Sequence, residues 1–261
     1  MMLFEVSKPN TFKDYLGCLN TLTEEVNLEL DYEGIRAVAL DPSHVAMVEF
    51  ELPNSYFDLY GVGEPEKIGV NLPNVLSALG KITKADHTLK AEYDYKVRNN
   101  AEGPTPFRDD ERLTLTLMSD IHRKKVLPCL EPLEEEVPKP RILFKSKVRM
   151  VAQTLKRILD DLDGEHVTIT TKDDTVIFSH KGDRYDESTP LDKDNDNILD
   201  LRVEEPTKAT YTKDYLSQIL KAVVKVSEVV TLEYSEDTPI KIDAEIPQGK
   251  LIYHVAPCIG V

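Results

Sequence analysis

What most limits how this chain can fold is the order of its elements, because one pattern is run through twice. Before residue 118 and again after residue 140, a segment with apolar residues at helical spacing is followed by alternating segments, then by a second helical segment and more alternation. Apolar positions three and four apart predict a first helix through Phe12, Tyr15, Leu16 and Leu19, and a second through Val75, Leu76, Leu79 and Ile82 with Pro73 in its first turn. The third runs through Val148, Val151, Leu155, Ile158, Leu159 and Leu162, the fourth through Leu216, Ile219, Leu220, Val223 and Val224. Each has a single apolar face, which needs a sheet beneath it. Period-two runs predict strands at 26–30, 35–40, 46–52, 89–95, 113–117, 167–171, 176–180, 229–234 and 251–255. The segments NLPNVLSALGKITKADHTLKAEYDY and YTKDYLSQILKAVVKVSEVVTLEYSED each read as a helix, a polar break and a strand ending in acidic and aromatic residues. The chain is therefore expected to be α+β, β-rich and internally duplicated.

Between the halves lies MSDIHRKKVLPCLEPLEEEVPKP, with prolines at 128, 132, 138 and 140, charges of both signs and no sustained period. The expected organisation is an N-terminal domain at 1–117, a connector at 118–140 and a C-terminal domain at 141–261. Ile121, Val126, Leu127, Leu130 and Leu133 are too apolar for a passive linker, so the connector is expected to pack on a sheet and to help form a docking surface.

Several chemistries are excluded by what the sequence lacks. Cys18, Cys129 and Cys258 are far apart and show no CxxC spacing, and the histidines form no metal-ligand pair, so reduced thiols and no metal or cofactor are expected. There is no phosphate-binding GxxxxGK[ST], no GxSxG and no dinucleotide fingerprint; the lone Gly61–Gly63 pair precedes Glu64 and Pro65 and reads as a turn. An acid–base pair of Asp41 and His44 would lack a supporting third group, so no enzymatic role is expected. No apolar run is long enough to cross a bilayer and the start, MMLFEVSKPN, has no signal-peptide blocks, so the protein is expected to stay in the compartment that made it.

A net charge of −15 would ordinarily argue against nucleic acid. The charges are unevenly placed, however. The stretch 72–84 carries Lys81 and Lys84 and no acid, and the fourth helix segment carries Lys213, Lys221 and Lys225 against Asp214 alone, with Lys221 and Lys225 four apart on one face. The third helix offers Lys156 and Arg157, the first only Lys13. Two readings stay open on these charges alone: ordinary solvated helix faces, or one basic surface suited to phosphates.

Two segments, LDPSHVAMVEFEL at 40–52 and LIYHVAPCI at 251–259, resemble the segment before the central loop and the C-terminal strand of the PCNA sliding clamps, archaeal ones in particular, and LYGVGEPEKIGVNL extends the likeness. The resemblance implies two clamp-type domains with sheets outside and helices inside, three copies closing head to tail into a ring around duplex DNA. It implies a processivity factor for DNA replication and repair, without catalysis or cofactor, in the cytoplasm at the nucleoid, or in a nucleus. Lys13, Lys81, Lys84, Lys156, Arg157, Lys213, Lys221 and Lys225 would face DNA. A pocket of Leu40, His44, Val45, Met47, Leu127, Pro128, Leu130, Pro239, Tyr253, Ala256 and Pro257 would take the PIP-box peptides of partners such as DNA polymerase, flap endonuclease and DNA ligase, and a clamp-loader ATPase would open the ring. Arg112, Leu113, Leu115 and Leu117 are expected to pair with a neighbour's strand around Tyr185 and Leu191. The alternatives are a subunit of a heterotrimeric clamp and a monomeric peptide-binding module without a DNA role. His254, where many relatives have Tyr, and Cys258, where they have Lys or Arg, depart from the family pattern.

Overall fold

A computed structural model of the chain describes residues 2–83, 87–98, 107–134, 137, 142–182 and 184–260, and of residues 97, 98 and 107–109 the backbone alone. Contacts divide it into two units, one of residues 1–39 and 50–136, the other of residues 40–49 and 137–261.

The first unit contains β1 (Met2–Val6), α1 (Pro9–Leu19), β2 (Glu25–Asp31), β3 (Gly34–Leu40), the second half of β4 (Ala46–Pro53), β5 (Leu59–Val62), β6 (Glu66–Asn71), α2 (Leu72–Leu79), β7 (Thr88–Arg98), β8 (Phe107–Met118) and β9 (Arg123–Pro128). One sheet runs β5-β1-β7-β8-β9, and β6, β2, β3 and β4 lie side by side in another. Alternation sets the inner faces: Met2, Phe4 and Val6 are buried along β1, and Leu113, Leu115 and Leu117 along β8. Phe4 on β1 meets Phe12 on α1 and Phe57 at centroid distances of 5.4 and 5.0 Å, tilted as aromatic quadrupoles prefer. Pro9 opens α1. Asn71 caps α2 by accepting from the N–H of Asn74, and Gly80, at φ 55°, ends it.

The second unit contains β10 (Ser146–Val151), α3 (Ala152–Asp161), β11 (His166–Lys172), β12 (Thr175–Lys181), β13 (Asp186–Asp192), β14 (Ile198–Val203), β15 (Thr207–Thr212), α4 (Lys213–Val223), β16 (Val229–Tyr234), β17 (Ile240–Ala244) and β18 (Lys250–Val255), with the first half of β4. Its strands run β14-β10-β16-β17-β18-β4 and β13-β12-β11-β15. Leu155, Ile158 and Leu159 of α3 and Leu216, Ile219 and Leu220 of α4 are buried on the sheets. Asp214 in the first turn of α4 and Lys221 in its last complement the helix dipole.

The duplication expected from the sequence is complete at the level of pairing. β1 lies between β5 and β7 as β10 lies between β14 and β16, β2 lies between β3 and β6 as β11 lies between β12 and β15, and β7-β8-β9 repeats as β16-β17-β18. In this correspondence β4 matches β13, and β9 matches β18.

Four expectations are corrected. Val148 and Val151 belong to β10, and α3 starts at Ala152; the strand's inward residues Val148 and Met150 run into the helical stripe without a break, so the two periods merge in the sequence. Ile82 lies beyond the end of α2, because Gly80 terminates the helix. The start of the connector is not loop: residues 119–122 turn the chain back, and β9 pairs antiparallel with β8, Arg112 opposite Pro128 and Leu117 opposite Arg123. In consequence Arg112, Leu113, Leu115 and Leu117 are not on an edge. β8 has β7 on one side and β9 on the other, so its backbone groups are spent within the unit, and its three leucines point into the core. Among the described residues β9 and β13 are the strands with an unpaired outer edge at these ends of their sheets; Leu191 is a buried residue of β13, and Tyr185 just before it is exposed and donates its hydroxyl to Asp163 at 2.6 Å.

Candidate docking site and nucleic-acid interface

The turn between β3 and β4 is built around one carboxylate. Asp41 is 4% exposed. Its Oδ1 accepts from the N–H groups of Val45 and Ala46 at 2.7 and 2.6 Å, and its Oδ2 from the N–H of Ser43 at 2.9 Å and the hydroxyl of Tyr215 at 2.7 Å. Burial works to raise the pKa of this carboxyl, but the bonds from Ala46, Tyr215, Ser43 and Val45 outweigh it and hold the group below the ordinary carboxylate value. Asp41 is therefore a structural anion, not half of a catalytic pair with His44, whose ring is exposed on a backbone at φ 57°. Pro42 and Ser43 are likewise exposed, and Leu40 and Val45 are half-buried.

The end of the chain lies along the same turn. The N–H of Ala256 donates to the carbonyl of Val45 at 2.8 Å, that of Cys258 to Thr210 at 2.8 Å, and Pro257 forms a bridge with Tyr211. Pro239, Ala256 and Pro257 remain half-exposed and Ile259 is 73% exposed. Met47 and Tyr253 are buried, so they form a floor closed to solvent, and the open surface in this unit consists of His44, Val45, Pro239, Ala256, Pro257 and Ile259. Leu127, Pro128 and Leu130 belong to the first unit. There Leu130 lies against β6, its N–H on the Gly69 carbonyl at 2.8 Å, and a Cβ at residue 69 would stand 2.7 Å from the Leu130 oxygen, which only glycine avoids. Asn27 fixes Leu133 through a pair of bonds at 2.8 and 2.9 Å. The connector thus lies against a sheet at Leu130, but of the apolar residues that suggested packing Ile121, Val126 and Leu133 stay exposed.

His254, on β18 beneath this surface, is 8% exposed. Its Nδ1 lies 4.0 Å from Glu49, whose other oxygen accepts from Lys250 at 2.9 Å. Burial first, then Lys241 and Lys250, push the His254 pKa below 6.5, and Glu49 opposes them only in part. The unfolded chain takes up a proton near pH 6.5 while the folded chain refuses it until its own lower pKa is reached. Stability is therefore full above about pH 6.5 and falls as the pH drops from there toward the folded value. The melting temperature is expected to fall between pH 7.5 and 5.5, and His254→Gln to flatten that fall; parallel melting curves of the two proteins check it, and equal slopes would dismiss the histidine as the source.

The basic residues separate into two groups. Lys13 on α1 donates to the carbonyl of Gly80 at the end of α2, and Lys213 on α4 donates to that of Leu162 at the end of α3, so each is a C-terminal helix cap. Lys156 is paired with Asp160 one turn on. Lys81, Arg157, Lys221 and Lys225 are exposed. Lys84 lies outside the described residues.

No disulfide links the three cysteines. Among the described residues no group of His, Cys, Asp or Glu is arranged to hold a metal, and no helix is long and apolar enough to cross a membrane.

Two topologically equal units, each with two α-helices on antiparallel sheets among the described residues, define the fold of the DNA clamps. The chain belongs to the proliferating cell nuclear antigen family: residues 1–100 match the model of its N-terminal domain and residues 139–259 that of its C-terminal domain. It is similar to the DNA polymerase sliding clamp of Thermococcus gammatolerans, at 29% identity over 94% of both chains, and to that of Pyrococcus furiosus, at 28% over 98% of this chain and 97% of the other. Its fold matches PCNA from Thermococcus kodakaraensis with a TM-score of 0.85 at 22% identity, covering 99% of this chain and 100% of the other. A chain of the PCNA2–PCNA3 complex of Sulfolobus tokodaii matches equally, at 0.85 and 23%, covering 98% and 99%.

Proposed function

We propose that the protein is a DNA polymerase processivity factor, a non-catalytic clamp whose copies close into a ring of three around duplex DNA. The single observation that carries the ring is the mismatch of edges in a duplicated chain. β18 has the first half of β4 on its outer side, whereas β9, its counterpart, has no strand there among the described residues. The counterpart of β4 is β13, whose outer edge is likewise unpaired. Repeating the internal pairing between copies joins β9 of one to β13 of the next, a heterologous contact that closes by rotation. The charges agree: Arg123, Lys124 and Lys125 stand exposed on β9, and β13 carries Asp186 and Glu187.

The exposed cations of α3 and α4, with Lys81 after α2, supply the phosphate contacts, and non-specific attraction without base readout suits sliding. The turn at 41–45 with Pro239, Ala256 and Pro257 receives PIP-box peptides of polymerase, flap endonuclease and ligase. A clamp-loader ATPase opens the ring, since the sequence has no phosphate-binding loop of its own, and the protein works at the DNA of the cytoplasm or nucleus. The domain division keeps the C-terminal domain at 141–261 and carries the first domain past residue 117 to include β9, its joining strand, so that the connector begins after Pro128. A subunit of a mixed ring is the second reading, favoured by the likeness to the PCNA2–PCNA3 complex.

The test is topological. Light scattering is expected to give three times the 29.6 kDa chain mass. The clamp, loaded on nicked circular duplex, is expected to withstand washing at high salt and to be released when the circle is cut. Retention on cut DNA would mean ordinary surface binding, and a monomer that no other clamp subunit rescues would remove the ring.

A further inference from the structure

Three of the four hydrogen bonds on Asp41 come from the turn itself, and the fourth comes from a residue 174 positions away. Tyr215 sits in the first turn of α4, half-buried, with its hydroxyl on Asp41 Oδ2. The same oxygen orders the N–H of Ser43, and the turn has to hold His44 at positive φ, a conformation that a non-glycine residue adopts only under support. The outer face of α4 carries the exposed Lys221. One hydroxyl therefore joins the turn that presents His44 and Val45 to the helix that presents a cation.

We propose that Tyr215 is a positioning residue for peptide docking: its bond to Asp41 fixes the 41–46 turn to α4, and through it peptide capture at the turn and phosphate contact on the helix are linked. The inference rests on the proposed docking and DNA-facing roles and deepens them. Without the hydroxyl, Asp41 keeps its three backbone donors and the turn persists, but it is no longer held against the helix. The peptide must then order the turn as it binds, which weakens binding without removing any atom that touches the peptide. Linkage is reciprocal, so duplex DNA should change peptide affinity in the parent protein and lose that influence in the variant.

The experiment uses the assembled protein and a fluorescent PIP-box peptide, titrated with and without short duplex DNA, in the parent, Tyr215→Phe and Tyr60→Phe. Tyr60 donates to the Gly34 carbonyl at 2.6 Å in the first unit, so its variant controls for loss of a buried hydroxyl bond elsewhere. The peptide Kd is expected to rise about tenfold or more in Tyr215→Phe, as the loss of a bond to a charged acceptor implies, with the DNA effect abolished and the melting temperature matched by Tyr60→Phe. Adding Tyr215→Phe to Asp41→Asn should cost less than it does alone, because both act through one bond. Unchanged affinity and an unchanged DNA effect in Tyr215→Phe would overturn the inference and leave the docking site standing. A parent protein that does not take the peptide would overturn the docking role and the inference together.

Discussion

Reversing the exposed charges of β9, by Lys124→Glu together with Lys125→Glu, is expected to break the assembly into single 29.6 kDa chains at concentrations where the parent is fully associated. The two lysines alternate, so one lies on each face of the edge strand, and the proposed partner strand offers Asp186 and Glu187 in the same alternation. An exposed ion pair contributes only about 0.2–1 kcal/mol, but reversal replaces attraction by repulsion at both positions. The swing is about 2 kcal/mol per joint, roughly a 30-fold weaker contact, and a ring needs every joint. Screening falls off over about 8 Å at physiological salt, so raising the salt should partly restore the variant while weakening the parent. Asp186→Lys with Glu187→Lys should dissociate alone and pair with the β9 variant when the two are mixed, giving complexes larger than one chain although one joint of a three-membered ring stays mismatched. The decisive measurement is mass by light scattering across a concentration series. Failure of the mixed variants to associate would separate β9 from β13.

Much of this architecture was legible because the duplication is written in two periods. The 113–117 alternation and the stripe of α4 at Leu216, Ile219, Leu220 and Val223 are found where the spacing placed them. What the sequence concealed has physical causes. Arg123, Lys124 and Lys125 have no alternation to announce a strand, and β9 exists because the turn at 119–122 brings them back along β8; hence residues 123–128 read as connector and β8 reads as an edge strand although β9 covers it. A proline within β13, Pro190, weakened the strand pattern there although an edge strand tolerates it. In the docking site, an Asp opening a Pro-Ser turn is a readable signal that Asp41 would bind backbone N–H groups. Nothing local marks Tyr215, since only the fold brings it to Asp41. Lys13 and Lys213 show the converse: basic residues on the right helices, yet committed to carbonyls at the ends of their neighbours.

That division of the cations sets the second large effect. Reversing Lys81, Arg157, Lys221 and Lys225 to Glu is expected to abolish salt-sensitive binding to duplex DNA, and with it loading and stimulation of polymerase, while the assembly and its melting temperature survive, because all four side chains are exposed. Each phosphate contact contributes about 0.9 to the slope of log affinity against log salt, so neutralising the same residues one at a time to Gln should lower that slope stepwise, a result that a general loss of folding cannot imitate. Lys13→Met and Lys213→Met provide the contrast. They remove helix caps, so they should lower the melting temperature and leave the salt slope nearly unchanged. Lys156 is an intermediate case, since Asp160 already neutralises it one helical turn away, and Lys156→Gln should move neither quantity much. Salt titrations of DNA binding on the whole set sort the residues by what they touch: a slope that drops for Lys13 and Lys213 but not for Lys221 and Lys225 would mean that the DNA meets the caps rather than the open face of α4.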